Sequence, residues 1–391
     1  MRELCSRLVQ LPPATNGMAL GLCGAASVLL ELGADERAAL CVMIPATALW
    51  ILFSLRMLAA PGQAREELAM PPACSAYGAW QMVFLFIAAR VVAGMSLAAA
   101  GAMVFLGALL QALILAAFLR ACWRTRTAPE PFWNPPTVNC AVTAIVGAQL
   151  RARGAAVPAW LISGSFACAL ALQLGLVPPQ VWRVLADDTV SPSAAVAMMQ
   201  APCSLNALAW GVLRRARSSE WGLAARPGGG DGGGGGALAH ALVAMSTLVL
   251  WLNVYAFWRR RAAIAARGVR ADWVALTFPS CSSAVAALQY SSARADPASP
   301  ALPPPARAIA RAYALGLAAL VLAVVFAVAA VLGRQLVRAA ARGASTDETA
   351  APLRDLDGAT EEGIPSASAG FVSKQGVLIE GVSSASEEDC T

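Results

Sequence analysis

Five short motifs join a proline to small polar residues: Pro13-Ala-Thr-Asn16, Pro72-Ala-Cys-Ser75, Pro136-Thr-Val-Asn139, Pro202-Cys-Ser-Leu-Asn206 and Pro279-Ser-Cys-Ser282. A proline inside a helix removes a backbone N–H and leaves a carbonyl without its partner. In hydrocarbon such a break is tolerated only where protein or a water-filled cavity satisfies the freed group. The half-helix after the break would offer a partly positive N-terminus at midplane depth. The chemistry expected of these residues is therefore non-covalent attraction of an anion. On this reading Pro13, Pro72, Pro136, Pro202 and Pro279 break path-lining helices, and Asn16, Ser75, Asn139, Asn206 and Ser282 supply polar groups. Arg90, late in the third apolar stretch, is the one cation placed within a span; it either snorkels to the interface or faces the path and attracts anions.

Other chemistry finds no support. The chain has no serine nucleophile elbow, Walker loop, zincin helix or kinase signature, and nothing that suggests a nucleic-acid partner. Its ten cysteines form no CxxC pair and its only histidine is His240, read as an interfacial residue. No metal and no cofactor is expected. Cys23, Cys41, Cys140, Cys168, Cys203 and Cys281 fall in apolar runs, where cysteine behaves as a small hydrophobe. Acids are scarce: Glu31 and Asp272 lie at span ends, which weighs against a proton-coupled carrier. The run Gly228–Gly236 reads as a flexible loop without phosphate-loop context.

The elements that position the motifs are membrane helices. Of 391 residues 58% are hydrophobic and 13% charged, with a mean hydropathy of +0.61, whereas a soluble surface requires about 25% charge. Apolar stretches recur at 10–32, 38–59, 73–93, 97–120, 132–150, 157–178, 193–213, 237–258, 272–292 and 309–334, each near the ~20 residues that cross a bilayer. An all-α polytopic membrane protein with ten transmembrane helices is expected. Residues 1–9 form a short N-terminus, 10–338 the membrane domain with a glycine-rich loop at 227–236, and 339–391 an acidic tail read as disordered. Outside Ser345–Thr391, 27 basic residues face 13 acidic ones, a balance that suits anion traffic and also ordinary arginine anchoring at headgroups.

The even stretches are almost uniformly apolar, while the odd ones carry the proline motifs, 59, 64, 66 and 77 residues apart. A supersecondary unit of that size recurring in register points to five helix pairs. Two-span units preserve direction, so five parallel inner helices can line a central pore inside five outer ones. Sixteen arginines on one side against ten on the other place both termini in the cytosol.

Phe278 directly precedes Pro279, and a ring beside a helix break can block a narrow path by size and dewetting; core packing is the alternative. The surrounding sequence, Trp273 to Tyr290, resembles the ninth helix of the tellurite-resistance/C4-dicarboxylate transporter family, which includes the plant slow-type anion channels. In the family's order, Pro131-Phe-Trp-Asn-Pro-Pro136 resembles the start of its fifth helix, Leu176-Val-Pro-Pro-Gln-Val-Trp-Arg183 the end of its sixth and Gln200-Ala-Pro-Cys-Ser204 a turn of its seventh. The resemblance covers roughly residues 12–338. It implies a homotrimer with one pore per protomer, lined by five kinked helices and occluded by a phenylalanine at the position of Phe278. The opening spans match least well, and the glycine insert and missing N-terminal extension depart from the pattern.

The expectation is a passive channel for chloride, nitrate or small organic anions, in the plasma membrane by default. A secondary transporter of malate, other C4-dicarboxylates or sulfite is the alternative, and a multispan receptor or scaffold a second one. Ser383, Ser384 and Ser386, beside acidic residues, are candidate kinase sites in the tail.

Overall fold

The structure is a computed structural model and describes residues 11–186, 194–220, 234–267, 273–292 and 303–343. The chain divides into a helical unit ending at Arg342 and a segment from Gly343 onward. The short N-terminus 1–9, most of the glycine loop and the candidate kinase sites of the tail lie outside the described residues.

The described residues contain ten long helices, which fall on the ten apolar stretches, and no strand. They are α1 (Thr15–Glu31), α2 (Glu36–Ala59), α3 (Pro71–Ile87), α4 (Leu97–Thr125), α5 (Asn134–Ala152), α6 (Ala159–Ala186), α7 (Gln200–Glu220), α8 (Gly234–Arg259), α9 (Val274–Ser291) and α10 (Pro304–Gly343). Short helices Pro61–Ala69 and Arg261–Arg267 and 3-10 turns Pro131–Trp133 and Ala194–Met199 connect them. A helix satisfies all its interior backbone groups within itself, which is why helices can cross hydrocarbon.

Seven of these helices are long and apolar enough to cross a membrane: α2, α3 with its continuation to Met95, α4, α6, α7, α8 and α10. By length and composition α1, α5 and α9 are not among them. They hold 17, 19 and 18 residues, and their sequences spend many of those positions on Gly, Ser, Thr, Asn and Pro.

Burial explains the difference. In α2, α4, α6, α8 and α10 only 22% to 28% of the most apolar stretch is buried, against 61% in α3 and 72% in α7. Most of α1, α5 and α9 is buried as well. Helices whose side chains face protein need not be apolar, whereas those facing outward keep residues such as Leu109, Leu113, Leu174 and Leu320 exposed. Exposed tryptophans followed by arginine recur at the C-terminal ends of the outer helices, Trp123-Arg124 on α4, Trp182-Arg183 on α6 and Trp258-Arg259 on α8. An amphipathic ring beside a cation is the side-chain pair favoured at a headgroup interface.

The odd helices close on themselves. α1 packs on α3, α3 on α5, α5 on α7, α7 on α9, and α9 returns to α1. Each of α2, α4, α6 and α8 lies against two successive members of this ring. α10 covers the closing seam, where Val328 and Leu332 pack with Met18 of α1 and Val274 of α9.

Pairing between the layers repeats in detail. Gln111 of α4 meets the Cys140 thiol and accepts from Thr143 Oγ1 at 3.0 Å on α5. One unit on, Gln173 of α6 donates to the Cys203 thiol at 3.6 Å and accepts from Asn206 Nδ2 at 2.5 Å on α7. In both units a glutamine of an outer helix takes a cysteine and the polar residue three positions later.

Candidate functional site

The seam between α1 and α9 depends on glycine. A Cβ on Gly17 would stand 2.5 Å from Val274, one on Gly21 2.2 Å from Thr277 Oγ1, and one on Gly24 2.7 Å from Cys281 Cβ and 3.3 Å from the Phe278 ring. This stripe of bare backbone lets the two helices approach closely, and it brings Phe278 over α1. The ring then reaches Phe86 on α3, edge to face, with centroids 6.0 Å apart and planes at 78°. α3 and α9 are both neighbours of α1, so the aromatic pair spans the first inner helix. Phe278 is buried and Phe86 half-buried.

Beyond this pair, all five inner helices contribute their C-terminal portions to one cavity of about 370 Å³. Glu31 comes from α1, Arg90 from the continuation of α3, Gln149 from α5 and Arg153 from the residue just after it, Arg215 from α7 and Gln289 from α9. Five helices ending at one cavity run in the same direction. Arg90 sits in a π-helical turn, Ala88–Val92, a local widening frequent at functional sites. It stands one helical turn after Phe86. Gln289 lies eleven residues after Phe278, about 16 Å at 1.5 Å per residue.

Among the described residues, three guanidiniums and one carboxylate line this space. The cavity lies at the partly negative ends of the helix dipoles, so its attraction for an anion comes from arginine and not from the helix ends. Some donors are engaged locally: Arg153 Nη1 donates to Ala89 O at 3.2 Å and Arg215 Nη2 to Gln289 Oε1 at 2.8 Å.

The five prolines do not act as the sequence led one to expect. Pro13 precedes α1, Pro72 and Pro136 occupy the first turns of α3 and α5, and Pro202 is the third residue of α7, after a 3-10 turn. The first turn of a helix has no intrahelical partner for its N–H groups, so proline costs nothing there. Only Pro279 lies well inside its inner helix, and the nearby hydroxyls of Ser282 and Ser283 donate to its carbonyl at 2.9 and 2.8 Å. Interior prolines occur in outer helices instead, Pro45 in α2 and Pro178 and Pro179 in α6. Four of the five expected breaks, with their midplane half-helix N-termini, are therefore corrected to ordinary helix starts.

The polar residues of the motifs serve mainly as fasteners. Asn139 Nδ2 donates to Gly78 O of α3 at 3.0 Å, beside the point where Gly78 meets the backbone of Pro135 and Pro136. Asn206 points outward to α6, donating to Ala169 O and Gln173. Ser75 donates to its own Pro72 carbonyl at 2.7 Å, and Ser282 pairs with Ser204 of α7 at 2.6 Å. Asn16 is 1% exposed, and no group among the described residues bonds its side-chain amide. Of the polar and charged residues expected from sequence to line the path, Arg90 alone lines the cavity.

Arg153, Arg215, Gln149, Gln289 and Phe86 carried no signal as isolated residues. A faint one existed in register, since each repeat unit holds at least one ionic or amide residue near the end of its inner helix. Glu67 was also invisible: on the short helix after α2 it accepts from both Arg56 and Tyr77, and all three are buried. His240, read as interfacial, holds the Tyr290 hydroxyl at 2.6 Å where α8 begins and α9 ends.

The inner helices thus form a closed ring with a buried aromatic pair and a basic cavity at its end. No curated protein matches the chain. Residues 10–332 match the family described as voltage-dependent anion channel, a family of anion channels and transporters and not of enzymes. That match covers most of the chain and agrees with its many apolar helices: this integral, multi-pass membrane protein belongs to the voltage-dependent anion channel family.

Proposed function

We propose that the protein is a passive anion channel whose path runs through the ring of five inner helices, all ten helices crossing the bilayer as five repeated pairs. The observation that carries this reading is the cavity shared by all five helix ends, with Arg90, Arg153 and Arg215 in its lining. Cations at a mouth concentrate anions, and low-dielectric walls strengthen the effect. Phe278, edge to face with Phe86, is the gate: an apolar ring in a narrow passage excludes both the ion and its water. With the N-terminus in the cytosol the cavity opens outward, and the plasma membrane is the proposed location. Chloride, nitrate and small organic anions are the proposed cargo, and a homotrimer with one path per protomer the proposed assembly. A kinase acting on Ser383, Ser384 or Ser386 of the tail is the proposed means of control.

Reversal potentials under chloride, nitrate and malate substitution test the reading. A channel reverses at the Nernst potential of the permeant anion; flux that follows a pH gradient instead assigns a coupled secondary transporter of malate, another C4-dicarboxylate or sulfite. One observation favours that second reading enough to keep it: the carboxylate of Glu31 stands in the same cavity as the arginines.

A further inference from the structure

Three arginines around a small cavity pose a difficulty for conduction. Guanidinium groups bind oxyanions through several directed hydrogen bonds, and a site that holds its ion too well does not pass it on. Conduction needs binding favourable enough to admit the ion and weak enough to release it. The cavity contains a feature that bears on this balance. Gln289 of α9 donates through Nε2 to Glu31 Oε1 of α1 at 2.7 Å. Its own Oε1 accepts from Arg215 Nη2 of α7 at 2.8 Å. One buried amide therefore links the cavity's acid to one of its cations and joins three inner helices. The bond fixes the carboxylate in the lining rather than letting it swing out to water.

We propose that Glu31 is the resident counter-charge of this cavity, held in place by Gln289 so that an anion captured by Arg90, Arg153 and Arg215 can leave again. The inference rests on the anion-channel reading and extends it by giving the cavity's one acid a role in setting affinity. Without Glu31 the lining holds three positive charges and no negative one, and a passing anion falls into a deeper well. With it, each captured anion feels a fixed negative neighbour, as in an ion-exchange site. Glu31 as a residue is exposed, so its influence is moderated by screening and a severalfold effect is expected rather than an all-or-none one.

The test is the anion concentration that gives half-maximal current, measured with nitrate in full-length protein reconstituted in vesicles. Glu31→Gln keeps the hydrogen bond to Gln289 and removes the charge; the half-saturating concentration should fall about threefold to tenfold, with a lower maximal current. Glu31→Asp, which keeps the charge, should shift it less. Gln149→Glu adds a carboxylate to the same lining and should move the value the opposite way, which keeps the proposal testable even if a Glu31 variant fails to fold. Unchanged half-saturation in Glu31→Gln and Gln149→Glu, alongside a shift in Arg90→Gln, would overturn the role of Glu31. A wild type that carries no nitrate current overturns the channel reading instead. The cavity is then judged by thermal protection of purified protein with nitrate, where the half-protecting concentrations should follow the same order and equal ones overturn the proposal.

Discussion

Phe278 and Phe86 meet edge to face, 6.0 Å between ring centroids, although their helices α9 and α3 are separated in the ring by α1. The contact exists because Gly24 of α1 leaves room: a side chain there would press on both Cys281 and the Phe278 ring. An aromatic pair of this geometry contributes about 0.5–1.5 kcal/mol beyond its area burial. That is enough to hold a ring in one rotamer and little enough to let it turn.

Phe278→Ala should raise anion current severalfold, on the order of tenfold if the ring closes the path. Phe86→Ala should raise it less, because it removes a support and not the obstruction. Voltage-clamp recording with a matched count of protein at the surface decides this. A fully expressed Phe278→Ala protein with wild-type current removes the gate.

Gly21→Ala should destabilise the α1–α9 seam. The new methyl would meet Thr277 Oγ1 at 2.2 Å, and that hydroxyl is already committed to Val274 O at 2.7 Å. Overpacking of this kind costs about 1–3 kcal/mol. Gly94→Ala, whose Cβ meets nothing within 4 Å, is the control, and thermal unfolding in detergent should separate the two.

Glu67→Gln should be more damaging than its conservative chemistry suggests. Arg56 Nη1 donates to Glu67 Oε2 at 2.9 Å and Tyr77 Oη donates to the same oxygen at 2.8 Å, with side chains of Arg56 and Glu67 only 3% and 8% exposed. Removing one partner of a buried ion pair leaves an uncompensated charge and costs about 3–5 kcal/mol. The double variant Arg56→Met, Glu67→Leu should recover most of the lost stability in the same melting assay.

Arg90→Gln should weaken anion capture, raising the half-saturating nitrate concentration about threefold or more, while Arg90→Lys should fall between it and wild type. A lysine keeps the charge but not the planar fork. Equal currents at all concentrations in the three proteins would take Arg90 out of the conduction path.

The division into inner and outer helices was legible in the sequence because lipid and protein impose different compositions. A helix facing hydrocarbon must be apolar nearly everywhere, as in Leu97–Leu119, whereas one facing other helices must be narrow, which selects Gly17, Gly21 and Gly24. The same fact makes α1, α5 and α9 fall short of a span by apolar length alone. Phe278 and Arg90 stood out because a ring beside a proline and a cation inside an apolar run are rare.

Direction and closure were set by the packing of the helices. A residue's facing changes by about 100° for each position along a helix, so a boundary uncertain by two residues leaves open whether Asn206 faces a path or, as it does, Gln173 of the outer layer. Likewise no local pattern distinguishes a proline in the first turn from one that breaks a helix, since the same ring fits both until the helix start is fixed. The return of α9 to α1 joins residues more than two hundred positions apart, and the meeting of Glu31, Arg90, Arg153, Arg215 and Gln289 follows from it. The sequence determined a polytopic membrane protein with two kinds of helix. Ring closure by packing of bare glycine backbone turned five separate helix ends into one charged cavity.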